Sequence, residues 1–322
     1  MELKHNYLVF CQQDDAYGLT KDGYNYICWG DLLNQKKISV AFRPFGHYPL
    51  YIQRLYHSYK DRHFPLKYLY PFFCKNPFPK KNLCILLIRF PSLEYLRWLR
   101  KKYKNAKIVL FLRDLYETKH PLIDYYKEEK LIDVWVTYDE NEAEKYNMFF
   151  HPEVESKIDL TGVDTTIHQT VFFAGYAKDR LPLLLETYDK LTSAGFSCKF
   201  YIVSDGHDKK DERPGIVYPS SKITYKQILI TSIQSDCILE ICQEGAVGNT
   251  ARFLEAVMYN KKLLTNNSTL IKDAFYKKDF IQVFNTADEI DLDFFNSKTK
   301  VDYGYKDEFS PLHLLEFIDS IL

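Results

Sequence analysis

NLCILLIRFPSLEYLRWLRKKYKNAKIVLFLRD (82–114) decides the fold. Its opening, NLCILLIRF (82–90), is a continuous apolar run that stops abruptly, the pattern of a strand buried on both faces. SLEYLRWLRKKYKN (92–105) follows with Leu93, Leu96 and Leu99 at helical spacing and a basic last turn that suits the carboxyl end of a helix dipole. KIVLFLRD (107–114) is a second apolar strand. Strand, helix and strand in that order form a βαβ unit, and the crossover makes its sheet parallel. LIDVWVTYD (131–139) predicts a further strand, and ENEAEKY (140–146) a short helix with acidic residues in its first turn.

The same alternation returns farther along. EVESKIDLTGVDTTIHQ (153–169) sustains no period and reads as a connection. TVFFAGY (170–176) is then an apolar strand, and RLPLLLETYDKLTSAG (180–195) a helix with Leu183, Leu184, Tyr188 and Leu191 on one face, stopped by Gly195. FSCKFYIVSDG (196–206) is the next strand. TYKQILITSIQSDCILEICQ (224–243) predicts helix, then strand at CILEI. NTARFLEAVMYN (249–260) is helical, and KKLLTNN (261–267) and FIQVFN (280–285) are strands. No repeat of 20–50 residues interrupts this order. The fold class expected is α/β, with two Rossmann-like doubly wound domains over 1–152 and 170–322.

Composition narrows the function classes. With 322 residues and 46% hydrophobic content the chain is long enough for two ordinary cores and too apolar to be disordered. Its longest apolar run, LCILLI (83–88), falls far short of the roughly 20 residues that span a bilayer. MELKHNYLVF lacks the basic and apolar regions of a secretory signal. Seven cysteines are scattered, with no C-x-x-C, and Cys237 and Cys242 have no His at zinc spacing. They read as small hydrophobes in a reducing compartment, so a cytoplasmic protein is expected. The nine histidines form no H-E-x-x-H pattern, and no metal site is expected.

Lys+Arg and Asp+Glu are both 43, which gives no overall pull toward nucleic acid. The balance conceals an asymmetry: residues 1–110 hold 19 Lys and Arg against 7 Asp and Glu. That half includes YIQRLYHSYKDRHFPLKYLYPFFCKNPFPKK (51–81), where basic residues alternate with Tyr and Phe. Such a stretch suits an anionic membrane surface, single-stranded nucleic acid, or a solvated face over a packed core. The high Tyr and Phe content, 26 and 23, also has a plainer source in codon bias.

Ligands of open α/β sheets bind at the carboxyl ends of the strands. The turn after TVFFAG holds Gly175, Lys178 and Arg180. Glycine permits close backbone approach, and the two cations neutralise phosphate. It is neither G-x-G-x-x-G nor a Walker loop, which removes support for hydride transfer and P-loop chemistry. The alternative is a plain strand-to-helix cap. A second stretch, GAVGNTARFLEA (245–256), leads through Gly248 and Thr250 into a helix carrying Arg252 and Glu255 at i, i+3, hence on one face. Free N–H groups there favour a diphosphate, Arg252 pairs with its charge, and Glu255 accepts bonds from hydroxyls. The alternative is a surface ion pair of a few tenths of a kcal/mol. Asp291-Leu-Asp293 spells D-x-D but is expected to start a helix. Candidate general bases are Asp14 and Asp15 after LVFCQQ, His47 in FGHY, and Asp114 after KIVLFLR.

VFFAGYAKDRLPLLLETYDKL, ILEICQEGAVGNTARFLEAVMYNKKLLTNN and LIKDAFY, in that order, resemble bacterial GT-B glycosyltransferases of surface-polysaccharide and lipopolysaccharide gene clusters, with a carboxyl-terminal domain like that of glycosyltransferase family 4. DVWVTYDENEAEKYNMFFHP (133–152) resembles the close of their amino-terminal domain. The resemblance spans roughly 130–285, and G-x-T-x-R-x-x-E-A is its most specific part. It implies two domains facing across a cleft, with a last helix in SPLHLLEFIDSIL (310–322) crossing back to the first. It implies that Gly175, Lys178 and Arg180 face the donor phosphates, that Gly248, Thr250 and Arg252 contact the diphosphate, and that Glu255 meets the ribose. The donor expected is a UDP-sugar, as substrate and not as cofactor. The acceptor is a glycan or lipid-linked molecule, bound by a protein that is cytoplasmic or peripheral on the inner face of the membrane, with no nucleic acid involved. Related retaining enzymes carry another glutamate eight residues before the second; that position here is Val247. Two other outcomes therefore stay open: a non-catalytic subunit that binds nucleotide or glycan for a partner enzyme, and a nucleotide-sugar 2-epimerase.

Overall fold

The computed structural model describes residues 2–11, 21–41, 77–79, 81–88, 93–113, 122–203, 213–219, 223–243, 248–297 and 299–322. They form two compact units, one of residues 1–156 with 309–322, the other of 157–308.

The first unit contains strand β1 (Asn6–Phe10), helix α1 (Tyr24–Cys28), β2 (Ile38–Ala41), β3 (Leu83–Leu87), α2 (Leu93–Lys102), β4 (Lys107–Leu112), α3 (Leu122–Glu128), β5 (Val134–Thr137), α4 (Glu140–Tyr146) and β6 (Phe149–Phe150). Its sheet runs β2-β1-β3-β4-β5-β6, parallel throughout. The predicted βαβ unit is β3-α2-β4, with Ile85 beside Ile108 in register. Alternation sorts the strand residues: Leu8, Phe10, Leu83, Ile85, Leu87, Ile108 and Leu110 share one buried cluster with Tyr95, Leu96 and Leu99 of α2. Each such side chain contributes about 1.5–3 kcal/mol by leaving water. The helix at 140–146 is fixed at both ends. Asp139 accepts the Glu142 N–H at 2.9 Å, and Asn147 stops the helix in the left-handed region.

The second unit holds β7 (Gln169–Tyr176), α5 (Leu181–Ser193), β8 (Cys198–Val203), β9 (Ile216–Val217), α6 (Tyr225–Ile233), β10 (Ser235–Glu240), α7 (Ala251–Met258), β11 (Lys262–Thr265), β12 (Ile281–Val283) and α8 (Asp293–Asn296). Its sheet order is β12-β11-β10-β7-β8-β9, again parallel. Helix α5 buries Leu184, Tyr188 and Leu191 against Phe173, Phe200 and Ile202. Leu183 packs only partly against that core. Gly195 ends the segment at φ +87°, a conformation that glycine adopts without strain.

The chain then returns to the first unit as α9 (Pro311–Ile321). Tyr7 points to the face of the first sheet opposite Leu8, and there its hydroxyl donates to Leu315 O (3.0 Å) and Asp319 Oδ1 (2.6 Å). Asp319 also accepts the Lys4 N–H (2.5 Å) and meets His5 Nδ1 (2.6 Å). Leu314, Leu315 and Ile318 of α9 are fully buried. Ser310 caps the helix and donates to Asp31 at 2.6 Å.

Candidate functional site

In the second unit the chain leaves β7 for β8 and β9 on one side, and later returns to place β10 on the other. Loops after β7 and β10 therefore diverge, and the crevice between them is a topological switch point, the place where α/β sheets receive ligands. Both stretches selected from the sequence lie at this edge: Gly175–Arg180 spans the end of β7 and the turn after it, and Gly248–Glu255 follows β10.

Arg180 spans the two strand ends. Its Nη1 donates to Ile241 O at 2.6 Å and its Nη2 to Tyr176 O at 2.5 Å. Its buried Nε has no partner among the described residues. Carbonyl oxygens orient a guanidinium without cancelling its charge, so a cation is fixed at the crevice. Burial lowers its pKa from the usual arginine value, and neighbouring Asp179 opposes that shift. Gly175 leaves little room: a Cβ there would stand 3.1 Å from Phe173 Cζ and 3.7 Å from Arg180 Nη2. The Lys178 backbone belongs to a short 3-10 turn, and its side chain lies outside the described part.

Across the crevice, Thr250 caps α7. Its hydroxyl accepts the Arg252 N–H (3.1 Å) and donates to the Glu240 carboxylate. The Phe253 N–H also bonds Glu240. Two first-turn N–H groups of α7, expected to be free for a diphosphate, are thus engaged inside the protein. Arg252 and Glu255 do share a face, with Nη2 and Oε1 2.5 Å apart, but the Glu255 side chain is 0% exposed and Arg252 only 14%. Glu255 further accepts from Tyr225 Oη (2.6 Å) and Ser232 Oγ (3.3 Å). Burial raises its pKa against the opposing pull of Arg252 and the two hydroxyls. In this arrangement the carboxylate faces inward and holds Arg252, which also lies over the Tyr225 ring at 5.9 Å. Gly248 is tethered by its carbonyl, which accepts from Asn267 Nδ2 at 3.4 Å.

Asp14, Asp15, His47 and Asp114, the candidate bases, lie outside the described residues. Arg113, just before Asp114, follows the end of β4 with its side chain 10% exposed. It pairs with Glu153 (2.8 Å), donates to Tyr24 Oη (2.7 Å) and lies over the Trp29 ring at 5.4 Å. Asp291 of the D-x-D accepts the Asp293 N–H (3.0 Å) at the start of α8. Among the described residues no group of three or more His, Cys, Asp or Glu is arranged to hold a metal ion, and no helix is long and apolar enough to cross a membrane.

Sequence reasoning did not assign Tyr225, Ser232, Thr265 or Asn267 to this edge. Their partners at this edge lie 19 to 30 positions away, beyond any local pattern. One signal did exist: Glu240 closes the apolar run CIL of β10, and a carboxylate in such a position must find partners.

No family model matches the chain, and no characterised protein matches it in sequence. Among solved structures it is similar to the N-terminal domain of a trehalose-6-phosphate phosphatase from Candida albicans, with TM-score 0.53 and 11% identity over 99% of this chain and 94% of that one. A sucrose-phosphate synthase from Thermosynechococcus elongatus superposes less closely, with TM-score 0.48 and 8% identity over 98% of this chain and 88% of that one. At such identity the likeness is one of fold. Two Rossmann-like α/β units in one chain make this a fold of the GT-B class.

Proposed function

We propose that the chain is a glycosyltransferase that moves a sugar from a nucleotide-sugar, a UDP-sugar first among them, to a glycan or lipid-linked acceptor in surface polysaccharide synthesis. One observation carries this reading: the switch point between β7 and β10 is flanked by both phosphate-suited stretches and bridged by Arg180, a cation held only by carbonyls among the described residues. The second unit would hold the donor. Arg180, Lys178 and Arg252 would neutralise the departing nucleoside diphosphate, Arg252 being aimed by Glu255. Gly175 would keep the turn open to the phosphates, and Gly248 and Thr250 would line the other wall. Each well-placed donor to the developing charge is worth about 3 kcal/mol in the transition state.

The acceptor would bind the first unit, where Asp114, His47 or Asp14 would take its proton. Charge neutralisation by side chains makes a metal unnecessary, so turnover is expected to survive EDTA; loss on chelation with rescue by Mn²⁺ would overturn that part. The basic and aromatic stretch 51–81 would rest on anionic lipid, at about 1 kcal/mol per basic residue near the surface. Sedimentation with anionic and neutral liposomes tests this, and equal binding to both would remove the membrane claim.

Val247, at the position of the sugar-side glutamate, favours a second reading: a subunit that binds the nucleotide-sugar without turning it over. A thermal-shift screen of UDP-, GDP-, CMP- and TDP-sugars, followed by an assay for nucleotide release, separates the two. A ligand at 100 times its Kd adds about 2.7 kcal/mol of stability. Stabilisation with release supports the transferase, and stabilisation without release supports the subunit. Isomerised UDP-sugar without acceptor would point to an epimerase, and no stabilisation by any donor would sink all three.

A further inference from the structure

Glu240 has no role in the reading above, yet it sits at the centre of the site's wall. It is the last residue of β10 and 2% exposed. One carboxylate oxygen accepts the Thr250 hydroxyl and the other accepts the hydroxyl of Thr265, its register partner on β11. The Phe253 N–H is a third donor. From Thr265 the network continues: its Oγ1 accepts the Asn267 N–H at 3.0 Å, and Asn267 Nδ2 donates to Gly248 O. Asn249, between Gly248 and Thr250, donates from Nδ2 to Asp273 Oδ2 at 3.0 Å.

The three residues immediately before α7 are thereby fastened from outside the loop, two of them through Glu240. We infer that Glu240 is the positioning residue of the donor site, its buried carboxylate fixing Gly248, Thr250 and the first turn of α7 in the geometry that receives a nucleoside diphosphate. This inference rests on the donor-site reading given above. The chemistry requires a carboxylate. Only an acceptor with lone pairs on both oxygens takes donors on each side at once; an amide would turn N–H groups toward one of the hydroxyls. Burial raises its pKa, against the pull of the Thr250 and Thr265 hydroxyls and Arg252; in its ionised form it lies at the positive end of α7, so the helix dipole and the loop are satisfied by one group. A wall held in this way loses little further freedom when a ligand arrives.

The test uses the full chain, with UDP, GDP, CDP and TDP as probes in calorimetry, and hydrogen exchange of the 248–254 amides without ligand. Glu240→Gln keeps the shape and removes one acceptor. It is expected to weaken the best nucleotide by about tenfold or more, and to speed exchange at 248–254 while β7 and β8 stay protected. Should that variant fail to fold, position 265 gives a milder pair. Thr265→Val keeps the volume and loses the hydroxyl, whereas Thr265→Ser keeps the hydroxyl and loses a methyl. Weakened binding in the Val variant with near-parent binding in the Ser variant supports positioning. The reverse order would show that position 265 acts by packing alone and would overturn the inference. Parent-like affinity in both Glu240→Gln and Thr265→Val would overturn it while leaving the donor-site reading intact. A parent that binds none of the four nucleotides would end that reading, and the role of Glu240 with it.

Discussion

Arg252 and Glu255 show how far a pair's meaning depends on depth. On a helix surface the same i, i+3 pair is worth a few tenths of a kcal/mol. Here Glu255 is fully buried and Arg252 nearly so, and removing one partner strands the other. Arg252→Ala leaves a buried carboxylate to Tyr225 and Ser232 alone and is expected to destabilise the second unit by about 3 kcal/mol. Glu255→Gln leaves a cation that keeps 14% exposure where the carboxylate has none, and should cost less. Urea denaturation of both variants checks the order, and equal losses would contradict the buried geometry. Gly175→Ala is the second prediction at this scale. Its methyl would press on the Phe173 ring, 3.1 Å away, and touch the guanidinium of Arg180, so a loss of about 1–3 kcal/mol is expected, together with weaker nucleotide affinity. A thermal melt and a calorimetric titration read the two effects separately. A variant equal to the parent in both would show that the turn has slack.

At the scale of elements, the polar anchoring of α9 to β1 centres on one side chain, Asp319. Burial alone would raise the Asp319 pKa, but the Tyr7 hydroxyl, His5 and the Lys4 N–H outweigh it and hold the carboxyl below its ordinary range. A folded-state value below the unfolded value of about 3.9 means that the contribution is complete at neutral pH. It is lost as pH falls through the folded value. Asp319→Asn should therefore be less stable than the parent at pH 7, with the gap narrowing below about pH 4. Parallel melts between pH 7 and pH 3 measure it, and a gap that stays constant would remove the titrating carboxylate from the account. Much at this scale was legible beforehand. The strands β3, β4, β5, β7, β8, β10, β11 and β12 announce themselves as apolar runs because central parallel strands are covered on both faces, whereas β1, β2, β6 and β9 were not expected from the sequence. Boundaries were less legible: the apolar run 82–90 extends past β3, which ends at Leu87, since hydrophobicity outlasts pairing. The wall built on Glu240 was not legible, because Glu240, Thr250 and Thr265 meet through the fold and no spacing rule connects them.

For the whole molecule, the division of the chain matters more than its length. Residues 157–308 are contiguous and carry their own six-stranded sheet and core, whereas the first unit needs 309–322 from the far end. A fragment of 157–308 should therefore fold alone with a cooperative melt. A fragment of 1–156 should not, unless 309–322 is supplied beside it, since Leu314, Leu315 and Ile318 would leave one face of the first sheet uncovered. Expression of the two fragments and circular dichroism decide it; a cooperative melt of 1–156 alone would show that α9 is dispensable. The route of the chain also sets a timetable for its birth. On a translating ribosome the half that emerges first is the half that cannot finish. It must wait with its sheet partly bare while 157–308 is made and folds, on the order of ten seconds at about 5–20 residues per second. Through that interval the nascent amino-terminal half is the part of this protein most exposed to aggregation and most in need of a chaperone.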